Sequence, residues 1–170
     1  MREPFTTLIV KQMNVTFCNL QIALSTARLE DEFSGVPLWR IFCHILAELD
    51  SRFTVSDVTK RMPGFLRADM CDLSVPYQGK PLSKDQLVEY YSDVKARVFL
   101  YLNELDDDKL LQRPILHAPT RLEEILREQQ TLSCQIGRIN AFTELSLHKK
   151  PVFIEREEDY PTDHNFFETL

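Results

Sequence analysis

The residues that could carry chemistry in this chain lie mainly on two of its predicted helices. Arg40, His44 and Glu48 follow one another at four-residue intervals, so a helix would place their side chains on one side. An imidazole close to a carboxylate can bind a metal ion, and it can transfer protons near neutral pH because the unperturbed pKa of histidine is about 6.5. His44 is therefore the first candidate for a functional residue.

A second group of polar residues lies on the longest predicted helix, over residues 120–142. One face of that helix carries Glu124, Glu128, Thr131 and Gln135. Together with His44 and Glu48, the two glutamates could form a carboxylate-rich metal site of the kind that bundles build from facing helices. Charged rows at this spacing are also typical of solvated helix faces, and in that interpretation neither row has a chemical role.

The remaining histidines and the cysteines form no strong motif. No two histidines lie four residues apart, and no cysteine pair has the C-x-x-C spacing of zinc or redox sites. The cysteines are Cys18, Cys43, Cys71 and Cys134. Three of them fall inside helical patterns, which predicts free, buried and chemically inert side chains, with a reactive thiol as the alternative.

His44 taken by itself has two interpretations. It is a surface histidine paired with Glu48, or an acid–base group that works without a metal. Cys43 is not its catalytic partner, because adjacent residues of a helix point about 100° apart. Trp39 and Tyr91 could form the wall of a ligand pocket, although aromatic residues at helical spacing more often form simple core.

Four amphipathic helices are predicted to position these residues. They cover about residues 6–27, 37–53, 83–105 and 120–142. Capping boxes mark two of the starts, at Ser83-x-x-Gln86 and at Thr120-x-x-Glu123. Residues 56–81 contain several Pro and Gly breakers and are predicted to form a long ordered crossover, with at most one short helix in SDVTKRM. Because no strand pairs are evident, the predicted fold is all-α, a four-helix bundle with a long crossover between its second and third helices.

The composition indicates a globular chain and excludes several classes of partner. It is 44% hydrophobic and 27% charged, with a net charge of −6 and no basic stripe, so nucleic acid is not an expected partner. No apolar run approaches the ~20 residues that span a bilayer, and no signal peptide is recognisable, so a cytoplasmic protein without a membrane partner is expected. Residues 1–150 are predicted to form the bundle, and residues 151–170 form a C-terminal tail that packs partly on it.

Several phrases of the sequence carry a family resemblance. They are PLWRIFCHILAELD at 37–50, LSKDQLVEY at 82–90, TRL at 120–122 leading to QIGRIN at 135–140, and KPVF at 150–153. With the order of the helices, these phrases resemble the DinB/YfiT-like superfamily over nearly the whole chain. The resemblance implies a four-helix bundle of a kind that often dimerises. Several members bind zinc or nickel through three histidines, and those characterised include thiol-cofactor-dependent transferases and an isomerase.

The resemblance also implies that the usual metal site is degenerate. The family places one histidine in the second helix, which matches His44, and two more as H-x-x-x-H in the fourth helix, where this chain has Thr131 and Gln135. Neither a hydroxyl nor a neutral amide is a good ligand for zinc or nickel. His44 would then be a remnant of the ancestral metal site that still lines a pocket, and no cofactor is expected.

Three functions follow as hypotheses. The first is a metal-free bundle that binds a small molecule or acts as a regulator. The second is a transferase or hydrolase that depends on a thiol cofactor or on zinc or nickel bound at a site rearranged to His44, Glu48, Glu124 and Glu128. The third is a structural homodimer. A homodimer is the expected oligomeric state in each case. Whether the chain is an enzyme stays open, because a fold does not fix function.

Overall fold

A computed structural model of the chain describes residues 4–53, 63–113 and 120–168. Its α-helices are α1 (Phe5–Thr26), α2 (Leu38–Arg52), α3 (Ala68–Cys71), α4 (Lys84–Asn103), α5 (Asp107–Leu110) and α6 (Arg121–Leu147). The only sheet among the described residues pairs β1 (Glu32–Phe33) with β2 (Val36–Pro37) in antiparallel orientation. The described chain is mostly helical, in agreement with the predicted all-α class. No helix within these residues combines the length and apolarity needed to cross a membrane.

The predicted hydroxyl caps are present at both helix starts, and the reciprocal capping box is complete at α4. The Ser83 hydroxyl accepts a hydrogen bond from the backbone N–H of Gln86, whose side chain accepts one from the N–H of Ser83. At α6, the Thr120 hydroxyl accepts from the N–H of Glu123. The predicted end of α6 at residue 142 is too early. The helix continues to Leu147 and stops where His148 adopts a left-handed conformation, with φ 53°.

Three local features were not expected from the sequence. The hairpin of β1 and β2 was missed because each strand has two residues, too few to show an alternating pattern, and its turn places Ser34 and Gly35 at positive φ. The one-turn helices α3 and α5 are also too short to show periodicity. The predicted helical piece in SDVTKRM and the end of the connection before α6, residues 114–119, lie outside the described residues.

The described residues divide into two compact units. The first consists of Met1–Thr26 and Phe99–Leu170. In it α1 packs along α6, and α5 contacts both helices. The Asp107 carboxylate of α5 accepts hydrogen bonds from the first two N–H groups of α1, at Phe5 and Thr6, while the carbonyl of Gln112 accepts one from the N–H of Arg121. Both helices therefore begin at α5 and run in the same direction.

The C-terminal segment packs on α1 inside the first unit. Its residues Val152, Ile154, Tyr160 and Phe166 cluster around Cys18 and Ile22. The segment folds back on itself, because the N–H of Val152 donates to the carbonyl of Phe166 and a β-bridge joins Pro151 to Phe167. The division of the chain at residue 150 stays a prediction.

The second unit, Ala27–Val98, contains the hairpin, α2, α3 and most of α4. Its apolar core includes Leu38, Phe42, Leu46, Leu49, Leu66, Met70, Leu87, Tyr90 and Val94. An ion pair links α2 to α4, since the Asp50 carboxylate lies 2.6 Å from the Arg97 guanidinium. Residues 63–82 include α3, which packs on α2. This arrangement places His44 beside α3.

Candidate functional site

His44 lies half-buried on α2 and is oriented by the backbone of α3. Its Nδ1 is 2.9 Å from the carbonyl oxygen of Cys71. A carbonyl oxygen only accepts hydrogen bonds, so Nδ1 carries the hydrogen and, in the neutral ring, Nε2 holds the free electron pair. Histidines that bind metals are commonly held this way, by donating the other ring nitrogen to a backbone carbonyl. The geometry of His44 is thus that of a fixed ring with one nitrogen available.

The neighbours of His44 in its predicted row differ from one another in environment. Arg40 is buried, with 6% of its surface exposed, and its guanidinium donates hydrogen bonds to the carbonyl oxygens of Asp69, Met70, Asp72 and Val75. The interpretation of this row as a solvated charged face is therefore wrong for Arg40. Glu48 is exposed, with a carboxylate oxygen 3.9 Å from the Arg52 guanidinium. The missed partners of Arg40 are backbone atoms, which side-chain spacing cannot reveal.

The fourth-helix candidates belong to the first unit, whereas His44 and Glu48 belong to the second. Thr131 is exposed, and Gln135, Glu124 and Glu128 are half-buried on α6. Glu124 lies near Tyr101, whose phenol pKa is raised chiefly by burial. Within the described part of the chain, no group of three or more His, Cys, Asp or Glu residues is placed to hold a metal ion.

Trp39 and Tyr91 are both core residues of the second unit, with 5% and 4% of their surfaces exposed. The Trp39 ring meets the ring of Tyr77 edge to face, with centroids 5.4 Å apart. This contact attaches the segment after α3 to the start of α2.

Cys43 and Cys71 form a disulfide between α2 and α3, with their Cα atoms 5.0 Å apart. The prediction of a free, inert side chain inside a helix is wrong for Cys43. Its partner Cys71 is 28 positions away in sequence, and the approach of the two depends on how α3 docks. Cys18 is not part of a disulfide and is buried, as predicted for residues inside helices. Cys134 is also outside a disulfide, but the prediction of burial is wrong for it, because its side chain is exposed.

A groove of mixed polar and apolar lining lies in the first unit between α1, α6 and the C-terminal segment. It has a volume of about 250 Å³ and is lined by Gln12, Val15, Thr16, Asn19, Gln129, Ser133, Ile136, Phe153, Ile154 and Glu155. The hydroxyl of buried Thr16 forms its floor, accepting from the Gln129 amide at 3.3 Å and donating to the Gln12 carbonyl at 2.9 Å. Phe153, with 53% of its surface exposed, forms a rim. The groove therefore combines amide and hydroxyl groups with one exposed aromatic face.

Buried Asn19 fixes one side of the groove. Its amide nitrogen donates to the carbonyl of Ile154 and its amide oxygen accepts from the N–H of Ile154, both at 2.9 Å. The side chain thus pairs with the extended segment as a neighbouring strand would. Sequence reasoning missed this groove, although a signal was present. Gln12, Thr16 and Asn19 recur at helical spacing on α1, as Gln129 and Ser133 do on α6.

Comparison of the chain with models of known protein families, with curated proteins and with solved structures found no match. The DinB/YfiT-like resemblance therefore stays a prediction that depends on the phrases of the sequence and the order of the helices.

Proposed function

We propose that this chain is a divergent DinB-like four-helix bundle that binds a small polar molecule without the three-histidine metal centre of that superfamily. The bundle would consist of α1, α2, α4 and α6, with the long connection between α2 and α4 as its crossover. These four are the longest of the described helices. The common direction of α1 and α6 supports this topology, because bundles with parallel helices need long connections.

The proposal of a metal-free protein depends on the chemistry of the family positions. His44 is a competent ligand, but the exposed Thr131 hydroxyl and the Gln135 amide are poor partners for zinc or nickel. A single imidazole does not hold a divalent ion firmly. The retained histidine is then explained by its hydrogen bond to the Cys71 carbonyl, which helps to fix α3 on α2.

The observation that carries the binding proposal is the groove with the Thr16 hydroxyl at its floor. Its volume corresponds to about eight water molecules, which suits a ligand smaller than a typical drug. Among the described residues that line it, Glu155 is the only ionisable one and none is basic. The groove therefore favours a neutral hydroxylated molecule or a small amine and disfavours an anion.

A titration followed by NMR tests this preference directly. Glycerol, ethanolamine and acetate would serve as neutral, cationic and anionic probes, added to the ¹⁵N-labelled full chain. We expect the first two to shift the Gln129 side-chain amide and the Ser133 backbone amide saturably, with Kd on the order of millimolar for such small ligands. Acetate should leave both signals in place.

A groove-filling variant and a matched control locate the binding. Ser133→Leu should abolish the shifts, because the larger side chain occupies the groove, whereas Gln130→Leu places the same side chain at an exposed neighbouring position outside it. Saturable shifts that survive Ser133→Leu, or equal responses to all three probes, would contradict the assignment of the site.

The metal-free part of the proposal needs a separate measurement. Elemental analysis of the purified, untagged protein, together with zinc and nickel titrations, should show no stoichiometric metal and no tight binding. Stoichiometric metal would instead support the rearranged site, and His44, Glu48, Glu124 and Glu128 would be the first residues to mutate. The transferase or hydrolase alternative and the homodimer stay predictions.

A further inference from the structure

The segment from Arg67 to Tyr77, here called the docked segment, is held on α2 by several different kinds of contact. The disulfide joins Cys71 to Cys43, and the guanidinium of Arg40 binds four carbonyl oxygens of the segment. The Tyr77 ring packs against Trp39 and lies under the Arg40 guanidinium, 5.9 Å from its carbon. All of these contacts except the disulfide are non-covalent and reversible.

We propose that Cys43 and Cys71 are a reversible dithiol–disulfide pair whose redox state controls how tightly the docked segment is held on α2. In the reduction, a thiolate of an external dithiol attacks Sγ of Cys71 and forms a mixed disulfide, and Cys43 leaves as a thiolate that takes up a proton. The second thiol of the reductant then releases Cys71 as a thiol. The net change transfers two electrons and two protons to the cysteines and leaves the reductant as a disulfide.

The location of the bond links its reduction to movement of the segment. Cys43 is fully buried and Cys71 is 7% exposed, so an external thiol reaches either sulfur only when the segment opens. Cutting the bond in turn favours opening, because the disulfide closes a loop between residues 28 positions apart. The coupling is reciprocal: opening of the segment favours reduction of the disulfide, and reduction of the disulfide favours opening of the segment to the same extent.

Opening has a defined chemical consequence for α2. It uncovers the indole of Trp39 and separates the Nδ1 of His44 from the Cys71 carbonyl that holds it. The reduced chain would then present an apolar surface and a freely rotating imidazole that the oxidised chain keeps fixed. The pair therefore acts as a thiol-sensitive control on this face of the second unit.

Hydrogen exchange of the full chain tests the proposal. The protein is equilibrated with reduced or oxidised dithiothreitol, and alkylation under denaturing conditions should add two labels to the oxidised chain and four to the reduced chain. We expect the hydrogen-bonded amides of Met70, Asp72 and Val75 to exchange faster after reduction, by on the order of a hundredfold. Amides in α6 should not change.

Trp39 provides a second readout because it is the only tryptophan. Its emission should shift to longer wavelength on reduction. The Cys43→Ala, Cys71→Ala double variant should show the reduced behaviour under both conditions, and Cys134→Ser should respond as the unaltered chain does. If that double variant does not fold, the unaltered chain under the two conditions still decides the matter. Four labels on the chain kept in oxidised dithiothreitol would overturn the proposal, because the disulfide would not form. The proposal would also fail if the oxidised chain takes two labels and the reduced chain four, but the amides of Met70, Asp72 and Val75 exchange equally fast in both.

Discussion

Asn19 offers the sharpest test of how the C-terminal segment is held on α1. Its side chain is 3% exposed and makes both of its hydrogen bonds to the backbone of Ile154, which is itself 2% exposed. Replacing Asn19 with Leu keeps a side chain of similar size, so no cavity opens in which a water molecule could take over the hydrogen bonds of the lost amide. The N–H and C=O of Ile154 would then be buried without partners.

The expected cost follows from these two orphaned groups. Each buried group that loses its partner costs about 1–3 kcal/mol, and leucine regains up to about 0.5 kcal/mol through its better helix propensity. Asn19→Leu should therefore lower the free energy of unfolding by about 1.5–6 kcal/mol. In urea unfolding followed by circular dichroism, the midpoint should fall while the slope stays unchanged.

Asn14→Leu is the matched control, since Asn14 is a half-buried residue of the same helix. Its effect should stay within about 0.5 kcal/mol, as is usual for substitutions outside buried hydrogen-bond networks. Equal midpoints for Asn19→Leu and Asn14→Leu would refute the reasoning, because the pairing with Ile154 would then contribute nothing. Faster exchange of the Ile154 amide in the first variant alone would identify the lost contact.

Asn19→Asp adds a pH dependence with a defined sign. A protonated carboxyl can donate to the carbonyl and accept from the N–H of Ile154 as the amide does, whereas an ionised carboxylate cannot donate. The pKa of this carboxyl should therefore be raised in the folded state above its unfolded value of about 3.9. The variant should be most stable below pH ~4 and lose stability as the pH rises from there to the raised pKa.

Three further predictions concern other contacts. Asp107→Ala should reduce the loss of stability in acid. The N–H groups of Thr6 and Phe5 lower the pKa of Asp107 below 3.8, so the stabilisation by its carboxylate is present above pH 3.8 and is lost as the pH falls through the lowered pKa. Unfolding curves of the variant and the unaltered chain from pH 2 to 6 would measure the difference. Arg40→Lys should destabilise the second unit by about 1–3 kcal/mol, because the ammonium group of lysine cannot donate to all of the carbonyl oxygens that accept hydrogen bonds from the planar guanidinium. Urea unfolding would measure the loss. The Thr131→His, Gln135→His double variant should gain zinc or nickel affinity in a calorimetric titration, and a folded variant that binds neither would contradict the alignment with the superfamily.

Features that depend on local sequence were predictable. The starts of α4 and α6 follow from a hydroxyl and a carboxyl or amide group three residues apart, and both capping interactions are present. The apolar periodicity placed α1 and α2 close to their observed bounds because each helix presents buried residues at three- and four-residue spacing.

Features that depend on contacts between distant segments were not predictable in the same way. The Cys43–Cys71 bond, the carbonyl partners of Arg40 and the pairing of Asn19 with Ile154 join residues that are from 28 to 135 positions apart. Residue type alone does not specify such partners. Every residue has a backbone carbonyl, so the sequence does not show which carbonyl accepts a given hydrogen bond. The groove was missed for the same reason, since its polar residues become a site only when α1 and α6 pack together.

The way in which Arg40 holds the docked segment has a consequence for how this region can change during evolution. Its guanidinium binds main-chain oxygens, which every amino acid provides, so substitutions at Asp69, Asp72 or Val75 leave the acceptors in place. An insertion or deletion between these positions would instead move the oxygens out of reach. Among related chains, the docked segment should therefore change in sequence while keeping its length, and Arg40 should persist even where the residues that it contacts do not.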